Sequence, residues 1–332
     1  MTTGTKLVKN SSYLRNCFQR TIPFLTALTN LIFLLLSLLV GIGLKQGKVV
    51  GKDAHITLNN VILYVCLPAT SLIYTSTIHF ERQYLLVILM PWLLYAGSFA
   101  FFRILRTFVT LHPHTEGALI LTAGIPSISF VGFPIFEMLY GAEGLRIGIL
   151  MSQAGSFLAC GTVGVVTASI YAAKEPSFTK ITKDVLTFPT FIAFCIALFL
   201  NVSNIAIPEI ILEILKKLSA PFSFLALLSI GFQIELNHKS LQKEDLKWGL
   251  LYKLVLCPLV VFLLYFVFLG QYNLAAKACL LGSGLGSMNM AAVVALRYGL
   301  NPTLAAQMVG IGIPLSLITI TLIYFLLLLF TF

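Results

Sequence analysis

The residues with the most chemistry to offer sit in two polar interruptions of otherwise apolar stretches. The first reads Ala123-Gly124-Ile125-Pro126-Ser127-Ile128-Ser129-Phe130-Val131-Gly132-Phe133-Pro134, and the second Gly282-Ser283-Gly284-Leu285-Gly286-Ser287-Met288-Asn289. Proline removes a backbone donor and clashes with the preceding turn, at ~3 kcal/mol in a helix interior, and each glycine adds roughly 1 kcal/mol. Neither stretch is therefore expected to run as an intact helix. Where a helix restarts inside such a break, its first N–H groups are unsatisfied and carry about half a positive charge, which favours a carboxylate. Ser127, Ser129, Ser287 and Asn289 are read as hydrogen-bonding side chains of a substrate site, with Gly132, Pro134, Gly284 and Gly286 shaping its exposed backbone. Asn289 is the sharpest candidate, because an amide in apolar surroundings is costly unless paired.

Glu137 follows Pro134 by three residues and is the carboxylate nearest either break. An acid within a membrane is a functional candidate, here for carrying a coupling proton, although it would also complement the dipole of the second half-helix. Gln153, with Ser156, lies on the next helix and would complete the pocket. Gly, Ser and Pro also serve close packing between membrane helices, so either interruption alone would be ambiguous. Their occurrence in matching places favours a site.

The elements that must position these residues are apolar. Of 332 residues, 58% are hydrophobic and 10% charged, whereas soluble domains carry about 25% charge; the mean hydropathy is +0.95. Stretches long enough for a bilayer, roughly 20 residues each, recur at 24–44, 55–77, 83–108, 116–140, 145–173, 186–203, 207–234, 248–270, 273–297 and 302–331. The expected fold is an all-α membrane protein of about ten transmembrane helices. The formal charge of +10 is dispersed between these stretches, so it reads as topology signal and not as a nucleic-acid surface. Thirteen of the 22 Lys and Arg residues, Lys253 among them, are assigned to odd-numbered connections. That places both termini outside, although the basic N-terminal tail argues the other way. The six cysteines are scattered without metal or redox spacing and no cofactor is implied. The N-terminus lacks the apolar centre of a cleavable signal.

The chain also resembles itself at an offset of 158 residues: Tyr140-Gly141 returns as Tyr298-Gly299, Gly124 as Gly282 and Ser129 as Ser287. Two sets of five helices must be inverted relative to each other, and inverted repeats with interrupted helices in corresponding positions mark a carrier. The expected organisation is a polar basic tail over 1–22, a first five-helix repeat over 23–173, a connecting loop over 174–185 and a second repeat over 186–332. Helices 4 and 9 are the broken, crossing pair. Pro68 and Pro221 are read as kinks in supporting helices.

On Phe130, Gly132, Pro134, Gly141, Gly144 and Leu145 of the fourth helix, and Ala295, Arg297, Tyr298 and Gly299 of the ninth, the sequence resembles the auxin efflux carrier family. That family includes plant auxin exporters and bacterial permeases for malate, malonate and related acids. It departs from the family pattern at Ser127, Ile128 and Ser129, where Asn, Thr and Gly are usual, and at Gly286, where a proline is usual. The resemblance implies helices 1, 2, 6 and 7 as the scaffold of a homodimer, the remainder as a transport unit moving like an elevator, and substrate at the crossing of helices 4 and 9. The function expected is a permease for small organic anions in the cell membrane, the inner membrane in a Gram-negative cell, with proton or sodium coupling. A sodium symporter of the bile-acid-carrier type would share the architecture, with Ser129, Gln153, Ser287 and Asn289 available to a cation. A ligand sensor is the remaining alternative. An intramembrane enzyme would need a metal-binding pair, paired acids or a nucleophile with its base, and the sequence offers none.

Overall fold

An N–H or C=O group in lipid has no water to bond, so an apolar chain satisfies its backbone as helix. The computed structural model describes residues 32–33, 36–51, 54–78, 81–172, 183, 186–233 and 242–330, and every regular element among them is helical. The 1–22 tail, the start of the first apolar stretch and most of the 174–185 loop lie outside the described residues.

Helices α1 (Leu36–Gln46), α2 (Ala54–Thr75) and α3 (Gln83–Leu105) precede α4 (Pro113–Gly124). A helical run over Ile128–Tyr171 follows and turns at Gly141 (φ 62°), giving α5 (128–140) and α6 (142–171). Then come α7 (Pro189–Val202), α8 (Glu209–Ser219), α9 (Phe222–Gln233) and α10 (Lys243–Phe268). The last three are α11 (Leu274–Ser283), α12 (Asn289–Arg297) and α13 (Pro302–Phe330). Among the described residues five runs are long and apolar enough to cross a membrane: α2, α3, α5 with α6, α10 and α13. Leu39, Leu85, Phe199, Phe268 and Phe325 are exposed on the outer surface, as lipid-facing side chains are.

Three of the apolar stretches are not single helices. The 116–140 stretch divides into α4 and α5, and 273–297 into α11 and α12, both at the expected Gly/Pro/Ser breaks. The 207–234 stretch divides into α8 and α9 around Ala220 and Pro221, while α2 continues through Pro68. A helix of 12 residues such as α4 spans about 18 Å, short of the ~30 Å hydrocarbon core, so each broken stretch needs both halves to cross.

The order of elements recurs at nearly the sequence offset, α3–α4–break–α5–α6 being matched by α10–α11–break–α12–α13. Gly141 and Gly299, paired by the sequence repeat, both take positive φ (62° and 73°) just beyond the second half-helix. Only glycine enters that region without steric cost.

The bundle is tied by close backbone approach and by one buried charge cluster. A Cβ on Gly231 of α9 would lie 2.4 Å from the Leu38 carbonyl oxygen of α1, and one on Gly155 of α6 would lie 2.7 Å from Pro91 of α3. At the start of α4 the fully buried Glu116 accepts from Arg106 at 3.2 Å and from the Tyr171 hydroxyl at 2.7 Å. Beside it Asn301 donates to Thr115 (3.1 Å) and Gln242 (2.7 Å), joining α4 to the beginnings of α10 and α13.

Lys253 departs from the expectation. Assigned to a loop by its charge, it sits inside α10 and is 0% exposed. The orientation argument thus loses one of its thirteen connection charges.

Candidate functional site

The two breaks meet. Ile125 (φ −110°, ψ 115°) and Met288 (φ −70°, ψ 130°) are extended, and the segments run antiparallel. The Ser127 amide donates to the Gly286 carbonyl at 2.8 Å and the Met288 amide to the Ile125 carbonyl at 3.0 Å. These bonds bracket the facing pair Pro126 and Ser287. In such a pair the central residues' own N–H groups are not used by the ladder, so proline is accommodated without a lost bond.

Extended backbone sends successive side chains to opposite faces, so Ser127 and Met288 take one side of the crossing and Pro126 and Ser287 the other, while Ser129 and Asn289 follow in the helices that start there. On one face Ser127, Ser129, Met288 and Asn289 line a cavity of about 200 Å³, together with Gln153 and Ser152 of α6. Its opposite wall is Asn59, Leu63 and Leu67 of α2, and Phe130, Phe157, Phe188, Met290 and Val293 complete it. Phe157 and Phe188 stack with centroids 4.7 Å apart. The lining is therefore polar at the crossing and apolar around it.

Ser287 points the other way. It is fully buried behind the crossing, 3.8 Å from where a Cβ on Gly312 would lie, and it does not line the cavity. The glycines and Pro134 are buried as well, so the exposed backbone expected of them is absent. A Cβ on Gly132 would meet Leu285 at 2.8 Å, one on Gly284 would meet Ile323 at 2.7 Å, and one on Gly286 would meet the Ile313 backbone at 2.7 Å. These three serve close approach, and the contribution of Gly286 to the crossing is its carbonyl.

Glu137 also lies apart. It accepts from the Ser223 hydroxyl of α9 at 2.6 Å and faces a second cavity with Tyr74, Lys216 and Ser219. Glu137 lies ten residues beyond Ser127 in α5, roughly 15 Å along the helix axis, which carries it past the crossing.

Asn59 was not legible as a site residue. Its Oδ1 accepts from Ser229 at 2.6 Å, which orients the amide at the cavity wall. Within an apolar stretch far from either break, only the Asn59-Asn60 pair on a helix marked it.

Both half-helices that start at the crossing have N-termini without a side-chain cap, Ser127 preceding α5 and Met288 preceding α12. Several buried oxygens nearby have no hydrogen-bond partner among the described residues: Gln153 Oε1, Ser156 Oγ, Ser287 Oγ and Asn289 Oδ1. Natural interiors rarely leave such groups unpaired. Two helix N-termini, three amides and three hydroxyls around a small cavity can bind a compact ligand that bears a polar or anionic head and an apolar body.

Residues 26–324 match the family described as membrane transport protein. The chain belongs to that family. Among relatives, an uncharacterized transporter of Methanocaldococcus jannaschii is 26% identical over 302 residues, covering 88% of this chain and 96% of the relative. An uncharacterized transporter of Methanothermobacter thermautotrophicus is 25% identical over 308 residues, covering 90% and 98%. Membership of the membrane transport protein family bears out the resemblance to the auxin efflux carriers, with its apolar helices as the membrane-spanning part.

Proposed function

We propose that this membrane transport protein is a secondary carrier of small organic anions, carboxylates foremost, and that the cavity at the crossing is its substrate site. The observation that carries this reading is the meeting of Ser127, Asn289 and Gln153 in one cavity beside two uncapped half-helix N-termini. A carboxylate there would accept from backbone N–H groups and side chains together, the form of anion site in which helix dipole and donors act in the same direction. Its apolar body would pack against Leu63, Phe130 and Phe157.

In this reading the protein is built as two inverted five-helix repeats in the cell membrane, and transport is elevator-like. The α1, α2, α7, α8 and α9 group is the scaffold and homodimer interface, and the crossing belongs to the moving unit. The Glu137–Ser223 bond then joins the moving unit to the scaffold, which gives Glu137 a role at the sliding interface. A second reading, sodium coupling, is favoured by Gln153 Oε1 and Asn289 Oδ1, amide oxygens without a hydrogen-bond partner among the described residues, of the hard ligand type that alkali and alkaline-earth cations take.

The test is uptake of labelled malate, malonate and an indole carboxylate into proteoliposomes, with and without proton or sodium gradients. Saturable uptake that Asn289→Ala impairs is the expected result. A wild-type protein that binds one of these acids without moving it is a sensor, and one that binds none is not an anion carrier of this class.

A further inference from the structure

The least expected group in the molecule is the amine of Lys253. It lies in α10, is fully buried, and has no hydrogen-bond partner among the described residues. Enclosing an ammonium without a partner costs several kcal/mol, and a lysine retained only for packing would be better replaced by Leu or Met.

Its surroundings place it in the layer directly behind the crossing. Tyr252 donates to the Leu94 carbonyl of α3 at 2.6 Å. A Cβ on Gly249 would meet Met308 of α13 and Leu119 of α4. A Cβ on Gly312 of α13 would lie 3.5 Å from Leu250 and 3.8 Å from Ser287 Oγ. Lys253 is about one helical turn beyond Gly249 and Leu250 on the same face of α10, the face that packs toward Gly312 and, through it, toward Ser287, which also lacks a hydrogen-bond partner among the described residues.

The ionisable residues on the packed elements supply no counter-charge. On α10 the near ones are Tyr252 and Cys257. On α3, Tyr95 is engaged with Thr167 at 2.5 Å, and Tyr84 and Arg103 lie toward the two ends of that helix. On α4, Glu116 is held by Arg106 and Tyr171 at the end away from the break, and His114 is in the first turn. On α11, which packs against α10 just beyond Lys253, Lys277 is in the first turn and carries the same charge sign, and Cys279 is buried; Tyr324 is the one ionisable residue of α13. The sequence repeat sharpens the contrast: at the offset of 158 residues, Lys253 corresponds to Tyr95, whose hydroxyl is satisfied.

We propose that Lys253 is the proton-exchanging group of this carrier. The inference rests on the reading of the crossing as an anion site. When a carboxylate enters the cavity, its negative charge acts across the thin crossing layer on Lys253. The amine lone pair then takes a proton from water on the loading side and becomes an ammonium. On release of the anion the N–H bond breaks and the proton returns to water on the other side. One proton accompanies each anion, and no redox step is involved.

Calorimetric titration of purified protein with malonate, in two buffers of different ionisation enthalpy, counts protons taken up on binding. The expected result is net uptake by the wild type and its loss in Lys253→Met, with malonate still bound more weakly. Malonate binding without proton uptake, or uptake unchanged in Lys253→Met, overturns the role of Lys253 and leaves the carrier reading standing. Failure of the wild type to bind malonate, malate or the indole carboxylate overturns both. If Lys253→Met does not fold, Glu137→Gln decides: retained proton uptake supports Lys253, and its loss transfers the role to Glu137 and overturns the proposal.

Discussion

Ser127 and Gly286 hold the crossing together: the serine amide donates to the glycine carbonyl at 2.8 Å, joining two segments that are far apart in sequence. With the Met288–Ile125 bond it encloses Pro126 and Ser287 as a facing pair of the close type, for which the Cα separation is ~4.5 Å.

That separation is within the range a disulfide spans. In a background without the native cysteines, Pro126→Cys with Ser287→Cys is expected to oxidise readily and leave no maleimide-reactive thiol. Both positions lie on the face away from the cavity, so ligand binding should survive. Two thiols that stay free under mild oxidant would mean that the segments do not face each other as described.

Gly286 is a packing position. A Cβ there would stand 2.7 Å from Ile313 Cα and 2.8 Å from its nitrogen, and backbone yields less readily than a flexible side chain. Gly286→Ala should destabilise by about 1–3 kcal/mol, seen as a lower thermal midpoint in detergent. Gly141→Ala meets no neighbour and is opposed instead by its backbone at φ 62°, ψ −149°, at roughly 1–3 kcal/mol for a residue with a Cβ.

How much of this was legible in the sequence follows from what hydropathy and Gly/Pro content can encode. Proline and glycine change the backbone locally, so both breaks and the pairing of Gly141 with Gly299 were readable from residue type alone. Which face a side chain takes was not readable. Ser287 and Asn289 were both read as site residues, yet Ser287 faces Pro126 behind the crossing, while the start of α12 at Asn289 breaks the extended period and brings Asn289 to the cavity. Lys253 was misread because a lysine in a hydrophobic protein is ordinarily a boundary marker, and nothing in its neighbours reveals a buried position. Asn59 reaches the site through packing of α2 against the crossing, a tertiary fact with no local signature.

Asn289 separates a binding role from a packing role. If its amide donates to a carboxylate, Asn289→Ala removes a charge-assisted hydrogen bond of about 1.5–3 kcal/mol, a roughly 10- to 100-fold weaker Kd. Asn289→Asp should be worse than Ala, because it sets a negative charge beside the bound anion. Binding of the transported acid to both variants is the measurement. Equal affinity for wild type and Ala would make Asn289 a packing residue, and tighter binding to Asp would point to a cationic ligand.

The Glu116 cluster should show the asymmetry of a buried charge. Glu116 is fully enclosed, and its two oxygens are taken by Tyr171 at 2.7 Å and Arg106 at 3.2 Å. Tyr171→Phe leaves one oxygen short of a donor, at about 1–3 kcal/mol. Arg106→Ala leaves the carboxylate without its counter-charge; breaking a buried pair costs about 3–5 kcal/mol, and the expected loss lies toward the lower end because the Arg106 side chain is 45% exposed. Glu116→Leu with Tyr171→Phe removes the acid and one of its donors together, leaving the exposed Arg106 to water, and should cost less than Arg106→Ala alone. Thermal unfolding in a single detergent ranks the three. An Arg106→Ala protein as stable as the wild type would mean that water reaches Glu116, and the cluster would then no longer tie α4 to α6.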